Sequence, residues 1–209
     1  MRKTDDLIHS LSSELTPVTP VKSPGKTLFI CFVISVLSLI GAIFIMGVRE
    51  NLQSVAPRVL FWLQNVSLFI VAVSGIINAC LMSIPGRGPG MILRTVPFIA
   101  FFVWFALILP SLISVESQMG RGLLCVADLL FIGAAPLVVL FKVMRKGAVL
   151  ERGKAGVTGL LGVAALGALG SQFVCSSESP MHLIVWHFLP VLFLGTLGFI
   201  VGNKFFKKI

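Results

Sequence analysis

Residues Thr27–Val48 read TLFICFVISVLSLIGAIFIMGV, a run of 22 residues without a charged side chain that is typical of a transmembrane helix. An α-helix rises about 1.5 Å per residue, so about 20 apolar residues cross a hydrocarbon core roughly 30 Å thick. Five later segments reach a comparable length. The six predicted spans are Thr27–Val48, Val59–Ile84, Thr95–Val115, Gly122–Phe141, Ala155–Cys175 and Met181–Gly202. We therefore predict an all-α membrane protein, built as a six-transmembrane-helix bundle.

The composition of the 209 residues supports the same fold class. Hydrophobic residues make up 56% and charged residues 12%, and the mean hydropathy is +1.02. Globular proteins carry about 25% charged residues, so too few charges remain here to cover a water-soluble domain. The apolar runs are continuous, whereas the strands of a membrane barrel alternate between apolar and polar residues. The composition thus excludes a soluble globular protein, a disordered chain and a β-barrel.

The basic residues predict the orientation in the membrane. The chain has 17 Lys and Arg against 8 Asp and Glu, a formal charge of +9. All but three of the basic residues lie in the two terminal tails, the second loop and the fourth connection. The exceptions are Arg49, Arg58 and Arg121. Because cytoplasmic loops are enriched in Lys and Arg, we place both termini in the cytoplasm. Topology then explains the positive charge, and we expect no direct binding to nucleic acid.

The chain divides into a cytoplasmic tail (residues 1–26) and a membrane domain (residues 27–209). In the tail, Thr4 is a suitable helix N-cap, acidic residues follow in the first turn, and a proline ends the helix. Four aliphatic residues recur at i, i+1, i+4 and i+8, which places them on one helical face. The predicted partner-binding residues are Thr4, Asp5, Asp6, Leu7, Ile8, Leu11, Leu15 and Pro17. The sequence therefore predicts a short amphipathic helix.

We expect this helix to bind a cytosolic protein. Burying four aliphatic side chains contributes roughly 6–12 kcal/mol gross, and ordering a free tail takes back about 2–5 kcal/mol. Helices that bind anionic lipid carry a Lys/Arg-rich polar face, but here Arg2 and Lys3 are offset by Asp5 and Asp6. Binding of the helix to the lipid bilayer surface, or no binding role, stays open.

The sequence resembles a known family at several points along its length. The tail reads Thr4-Asp5-Asp6-Leu7-Ile8, then Leu11, Leu15 and Pro17-Val18, and six spans follow. Further along the chain are Arg145-Lys146-Gly147-Ala148, Cys175, Ser179-Pro180 and Trp186. Together these features resemble the NrsF-like (negative regulator of sigma F) family of bacterial inner-membrane anti-sigma factors. The resemblance covers essentially the whole chain.

The resemblance implies a function in transcription regulation and the stress response. It implies that the tail holds an extracytoplasmic-function sigma factor at the bacterial inner membrane until a signal releases it. It also implies that two cysteines take part in sensing, and the matching positions are Cys125 and Cys175. We expect no enzymatic activity and no cofactor, because the sequence shows no catalytic motif.

Topology separates the four cysteines into two groups. Cys31 and Cys80 lie near the reducing cytoplasm, whereas Cys125 and Cys175 lie at the outer face. Four cysteines allow three pairings, and only Cys125–Cys175 joins two thiols on the oxidising side. We predict that oxidation or a soft metal ion links these two thiols. The alternative is that both are small apolar side chains packed in the bundle.

Other polar residues lie at the same outer end. Asp128, the only charged residue inside the predicted spans, follows Cys125 by three residues. Asp128, Glu178 or His182 could complete a coordination shell around a metal ion. His182 and His187 are five residues apart, about 140° around an α-helix, so we expect that they do not form a two-histidine metal face. The predicted sensing residues are Cys125, Cys175, Asp128 and His182, with Cys125 and Cys175 as possible metal ligands.

Two other functions compete with an anti-sigma factor. A small transporter or channel would need polar groups at mid-depth, and the candidates are Gln64, Asn65 and Asn78, all on the second span. A membrane scaffold would use the tail to recruit a different cytosolic protein. The identity of the protein bound by the tail separates these classes.

Overall fold

The structure is a computed structural model that describes residues 2–13, 24–84, 86–110 and 122–206. No strand occurs in these ranges. The helices are α1 (Arg2–Ser13), α2 (Pro24–Met46), α3 (Leu52–Val55), α4 (Val59–Met82), α5 (Met91–Ile108), α6 (Gly122–Lys146), α7 (Arg152–Val174), α8 (Pro180–Leu183) and α9 (Leu189–Phe205). A π-helical segment, Ile184–Phe188, joins α8 to α9, so that the three form one continuous rod.

Within the described ranges, six helices are long and apolar enough to span a membrane, which confirms the predicted fold class. Their ends differ from the predicted ends by a few residues. The third span begins at Met91 rather than Thr95, and its predicted last residues, 111–115, lie outside the described ranges. The fourth continues to Lys146, beyond the predicted Phe141. Hydropathy marks only the apolar part of a helix, whereas Lys and Arg side chains let it continue into the interface.

Helix α7 is the central element of the bundle. Within an apolar stretch of 18 residues, 83% of the α7 residues are buried, against 11% for the corresponding stretch of α2. Small residues explain this position, because helices without large side chains can approach closely. A Cβ atom added to Gly156 would lie 2.0 Å from the carbonyl oxygen of Gly198 on α9. A Cβ atom added to Gly75 on α4 would lie 2.8 Å from the Cα atom of Gly162 on α7.

The amide side chains of α4 hold α5 in place. Gln64 donates a hydrogen bond to the carbonyl oxygen of Leu107 (3.1 Å), and Asn78 donates one to that of Leu93 (2.7 Å). Asn65 donates to the carbonyl oxygen of Phe61 within its own helix (2.7 Å). These three amides are buried and contact backbone, so the polar groups that could have suggested a transport pathway serve helix packing.

Both termini of the membrane domain lie at the same end of the bundle. Cys31 near the start of α2 and Phe206 after α9 belong to one buried cluster, together with Met144 and Ala155. We call this end the tail end, and the opposite end, where α7 leads into α8, the far end. The Sγ atoms of Cys31 and Cys80 are 3.8 Å apart at the tail end, and Arg94 pairs there with Glu151 (3.3 Å).

Helix α1 exposes its apolar face. Leu7, Ile8 and Leu11 are 58%, 60% and 61% exposed. The helix begins at Arg2, so the prediction that Thr4 is the N-cap is wrong: Thr4 lies within the helix. The acidic Asp5 still lies in the first turn, where it interacts favourably with the helix dipole. The predicted binding residues Leu15 and Pro17 lie outside the described residues.

A candidate thiol and imidazole site at the far end

Three helical elements bring two cysteines and two histidines together. Cys125 lies in the first turn of α6, and Cys175 directly follows the last residue of α7. His182 lies in α8 and His187 in the π-helical segment. One potential ligand atom from each of these residues lies within 4.8 Å of the other three. We call these four residues the far-end site.

Three of the four ligand atoms form an almost equilateral triangle. The Cys125 thiol donates a hydrogen bond to the Sγ atom of Cys175 at 3.3 Å. The Nε2 atom of His182 is 3.4 Å from each of the two sulfur atoms. The structure thus brings together Cys125, Cys175 and His182, three of the four predicted sensing residues. Both cysteines are free thiols in this arrangement.

The expectation that His182 and His187 do not form a two-histidine metal face assumed a regular α-helix, and that assumption is wrong. In a π-helix the hydrogen bond joins residues five apart, and the N–H group of Leu189 indeed donates to the carbonyl oxygen of Ile184. This wider turn brings the two imidazoles to the same side of the rod, with ring centroids 5.4 Å apart. The angle of 140° holds only for a regular α-helix.

Pro190 explains why the rod widens at this point. A proline inside a helix has no N–H group to donate, and its ring clashes with the carbonyl group four residues earlier, here that of Trp186. A π-helical turn relieves such a clash and occurs frequently at functional sites. The spacing of His182 and His187, followed by Pro190, is therefore the sequence signal that could have revealed the second histidine.

Both histidines are buried. His182 is 2% exposed and His187 is fully buried. Neither ring nitrogen of His187, nor the Nδ1 atom of His182, has a hydrogen-bond partner among the described residues. Most buried polar atoms in proteins have such a partner, so unpaired imidazole nitrogens beside two thiols are unusual.

The thiol of Cys175 accepts a hydrogen bond and lies near an imidazole. The hydrogen bond donated by Cys125 lowers the pKa of Cys175, and nearby His187 lowers it further, although burial opposes both effects. These contacts favour the thiolate form of Cys175. A thiolate is the form of cysteine that binds metal ions and reacts with oxidants.

Two acidic residues predicted near this site have other positions. Asp128 is partly exposed on α6 and does not belong to the group of four ligands. Glu178 pairs with Arg49 (3.2 Å) and with Arg58, and it accepts a hydrogen bond from Asn51 (3.0 Å). Glu178 lies outside the group of four ligands, and its carboxylate instead binds residues of the connection between α2 and α4.

Arg49 anchors this connection to the end of α7. Its guanidinium donates hydrogen bonds to the carbonyl oxygens of Gln172 (3.2 Å) and Ser176 (3.3 Å). Burial lowers the pKa of Arg49, and Glu178 partly offsets this effect. Trp186 packs on α6, where a Cβ atom added to Gly122 would lie 2.1 Å from the indole ring. These contacts hold the far-end site between fixed elements.

The fold and the site together define a multi-pass membrane protein with a buried thiol and imidazole cluster. The sequence matches the family described as negative regulator of sigma F (NrsF) over residues 11–207, nearly the whole chain. The chain therefore belongs to the NrsF family. No curated protein and no solved structure matches it.

Family membership implies that the chain is a negative regulator of a sigma factor. The matched range contains the far-end site and all six membrane-spanning helices. It begins at Leu11, so most of the exposed face of α1 precedes it.

Proposed function

We propose that this protein is an anti-sigma factor that holds an extracytoplasmic-function sigma factor at the inner membrane and releases it in response to a signal at the far-end site. In this proposal the tail is cytoplasmic and the far end lies on the opposite side of the membrane. The observation that carries the proposal is the exposed apolar face of α1, on a chain of a family named for negative regulation of a sigma factor.

The exposed face of α1 is large enough to bind a protein. Burying Leu7, Ile8 and Leu11 contributes roughly 4.5–9 kcal/mol gross, at about 1.5–3 kcal/mol for each side chain. Ordering a flexible segment costs about 2–5 kcal/mol, so a surplus remains over most of this range. An amphipathic helix that lays its apolar face in a groove of its partner is a common recognition mode.

The polar face of α1 gains little from a partner, which favours binding through the aliphatic face. The hydroxyl groups of Ser12 and Ser13 donate hydrogen bonds to the carbonyl oxygens of His9 (3.1 Å) and Ser10 (2.9 Å) in the same helix. Because these hydroxyl groups are already satisfied, the aliphatic face is the part of α1 that gains most from a partner.

A direct path links the far-end site to the tail. Cys125 lies on α6, and α2 is joined to α6 by a hydrogen bond that the Ser38 hydroxyl group donates to the carbonyl oxygen of Ile132 (2.6 Å). Helix α2 follows the tail in the sequence. A change at the far-end site that moves α6 would therefore shift α2 and the base of the tail. Two events could cause it: oxidation of Cys125 and Cys175 to a disulfide by an external oxidant, or binding of a metal ion.

Co-purification of the full-length protein from bacterial membranes tests the tail. The test variant is Leu7→Asp with Leu11→Asp, and the matched control is His9→Asp with Ser13→Asp, which adds the same charge on the opposite face of α1. We expect wild type and control to retain an extracytoplasmic-function sigma factor, identified by mass spectrometry, and the test variant to lose it.

The same experiment distinguishes the competing functions. Retention of the sigma factor by the Leu7→Asp, Leu11→Asp variant would contradict binding through α1. Co-purification of an unrelated cytosolic protein, lost in the same variant, would favour a membrane scaffold. Solute flux through vesicles that contain the protein, without any sigma factor bound, would favour a transporter.

A further inference from the structure

We propose that the far-end site is a four-ligand binding site for a divalent metal ion of the zinc class. Its ligands would be the thiolates of Cys125 and Cys175 and the imidazoles of His182 and His187. Of the two events proposed above for this site, we thus select metal binding rather than disulfide formation. The inference rests on the proposed function only for the effect of the ion on sigma-factor release.

The distances at the site match a tetrahedral ion. Zn–S and Zn–N bonds of about 2.3 and 2.0–2.1 Å give a regular tetrahedron with S···S and S···N edges of about 3.8 and 3.6 Å. The S···S distance between Cys125 and Cys175 is 3.3 Å, and His182 lies 3.4 Å from each sulfur atom. Movements of a few tenths of an ångström thus convert this triangle into one face of a coordination tetrahedron.

His187 supplies the fourth vertex. Its ligand atom lies within 4.8 Å of the other three, and both its ring nitrogens are buried without a hydrogen-bond partner among the described residues. A buried imidazole in that position lacks the contact that a metal ion would provide. Two sulfur and two nitrogen ligands in a tetrahedral arrangement are typical of zinc.

Charge also favours a divalent ion. Two thiolates carry a charge of −2, and two neutral imidazoles add none, so a bound divalent ion gives a neutral group that can stay buried. Binding displaces the thiol protons to solvent, as in other cysteine metal sites. Asp128 and Glu178 are not needed for this balance.

The ion would connect three elements that otherwise meet there through packing and weak thiol hydrogen bonds. Cys125 belongs to α6, Cys175 to the end of α7, and both histidines to the rod formed by α8, the π-helical segment and α9. A bound ion fixes the relative positions of these elements at the far end. Because α6 carries the hydrogen bond to Ser38 on α2, we infer that metal binding is the signal transmitted to the tail.

A titration of the full-length protein tests metal binding directly. The protein is purified in detergent with its thiols reduced and titrated with Co²⁺, a spectroscopic substitute for Zn²⁺. We expect one equivalent of Co²⁺ to give the visible absorption of a tetrahedral site with sulfur ligands, and Zn²⁺ to abolish this absorption. The His187→Gln variant should bind Co²⁺ at least tenfold more weakly, with an altered spectrum.

A matched control uses the thiol pair at the tail end. The Cys31→Ser, Cys80→Ser variant should bind Co²⁺ like wild type, whereas the Cys125→Ser, Cys175→Ser variant should lose binding. Absence of a tetrahedral spectrum in wild type, or unchanged binding in the His187→Gln variant, would overturn the proposal.

Thiol protection tests the same site in the wild-type protein, without any variant that could fail to fold. Zn²⁺ should slow the alkylation of Cys125 and Cys175 at least tenfold, as measured by mass spectrometry of the modified peptides. The alkylation rates of Cys31 and Cys80 should stay the same. Equal protection of all four thiols, or of none, would contradict a specific site.

A separate measurement tests whether metal binding is the signal that releases the sigma factor. Zn²⁺ added to the purified complex should release the sigma factor from wild type but not from the His187→Gln variant; retention by wild type would overturn metal binding as the signal. If the Leu7→Asp, Leu11→Asp variant retains its sigma factor, binding through α1 fails, whereas the Co²⁺ titration is unaffected. If the sigma factor is captured normally and no tetrahedral spectrum develops, only the metal site fails.

Discussion

Arg49 shows how a single residue fixes the far end of the bundle. Its side chain is 2% exposed, and Glu178 is its one acidic partner among the described residues. Arg58 pairs with the same carboxylate but is 58% exposed. A buried charge is tolerated in a protein only when it is paired and hydrogen-bonded, whereas an exposed ion pair contributes little. The two arginines therefore depend on Glu178 to very different degrees.

We predict that Glu178→Gln lowers the free energy of unfolding by about 1–3 kcal/mol. Breaking a fully buried ion pair by removing one partner costs about 3–5 kcal/mol. We expect a smaller loss here because Glu178 is partly exposed. Unfolding in mixed micelles with increasing denaturing detergent measures the effect. The control Arg58→Gln should cost about 0–1 kcal/mol. Equal losses in the two variants would show that burial of Arg49 does not determine the stability of this connection.

The sequence predicts some residues of the far end better than others. The position of Cys125 and Cys175 at one end of the bundle followed from counting spans, because each span reverses the direction of the chain. The partner of Glu178 could not be predicted, because it depends on how two connections far apart in sequence meet. His187 was missed because its angle was counted along a regular α-helix, although Pro190 provides a local reason for a wider turn.

At the scale of elements, hydropathy determines which segments are helices but not which helix is central. All six spans are apolar, and α7 has the lowest hydropathy among them, 1.6, yet it is the most buried. In a membrane, lipid is as apolar as the bundle interior, so close packing rather than hydrophobicity selects the central helix. The small residues of α7 permit this close packing, and the structure shows which partners they approach.

We predict that Gly156→Ala disrupts the packing of α7 against α9. The added Cβ atom would lie 2.0 Å from a backbone oxygen of Gly198, and a backbone atom cannot move aside as a flexible side chain does. Overpacking costs typically about 1–3 kcal/mol, so we expect a loss of at least this size in the same unfolding assay. The control Gly41→Ala on α2 has no atom within 4 Å of its new Cβ atom and should leave stability unchanged or raised. Equal stability of the two variants would contradict close approach of α7 and α9.

At the scale of the whole molecule, the lightly buried α2 links the tail to a tightly packed bundle. An apolar groove of about 390 Å³ separates parts of α2 from α4 and α7. Ser35 lines this groove, and its hydroxyl group is buried without a hydrogen-bond partner in the described ranges. Ser38, one turn further on, donates instead to the carbonyl oxygen of Ile132 on α6. Along this groove α2 is packed less closely against α4 and α7, whereas the Ser38 hydrogen bond attaches it to α6.

We predict that Ser38→Ala weakens release of the sigma factor without preventing its capture. Removing one hydrogen bond between membrane helices costs about 0.6 kcal/mol on average, too little to unfold the bundle but enough to loosen α2 from α6. The measurement is the fraction of sigma factor released from the full-length complex when Zn²⁺ or an oxidant is added. Ser35→Ala is the matched control, since it removes a hydroxyl group from the same helix without breaking a bond, and it should respond like wild type. The Cys125→Ser, Cys175→Ser variant gives the unresponsive reference. Full release from Ser38→Ala would show that the signal reaches the tail by a route other than the contact between α2 and α6.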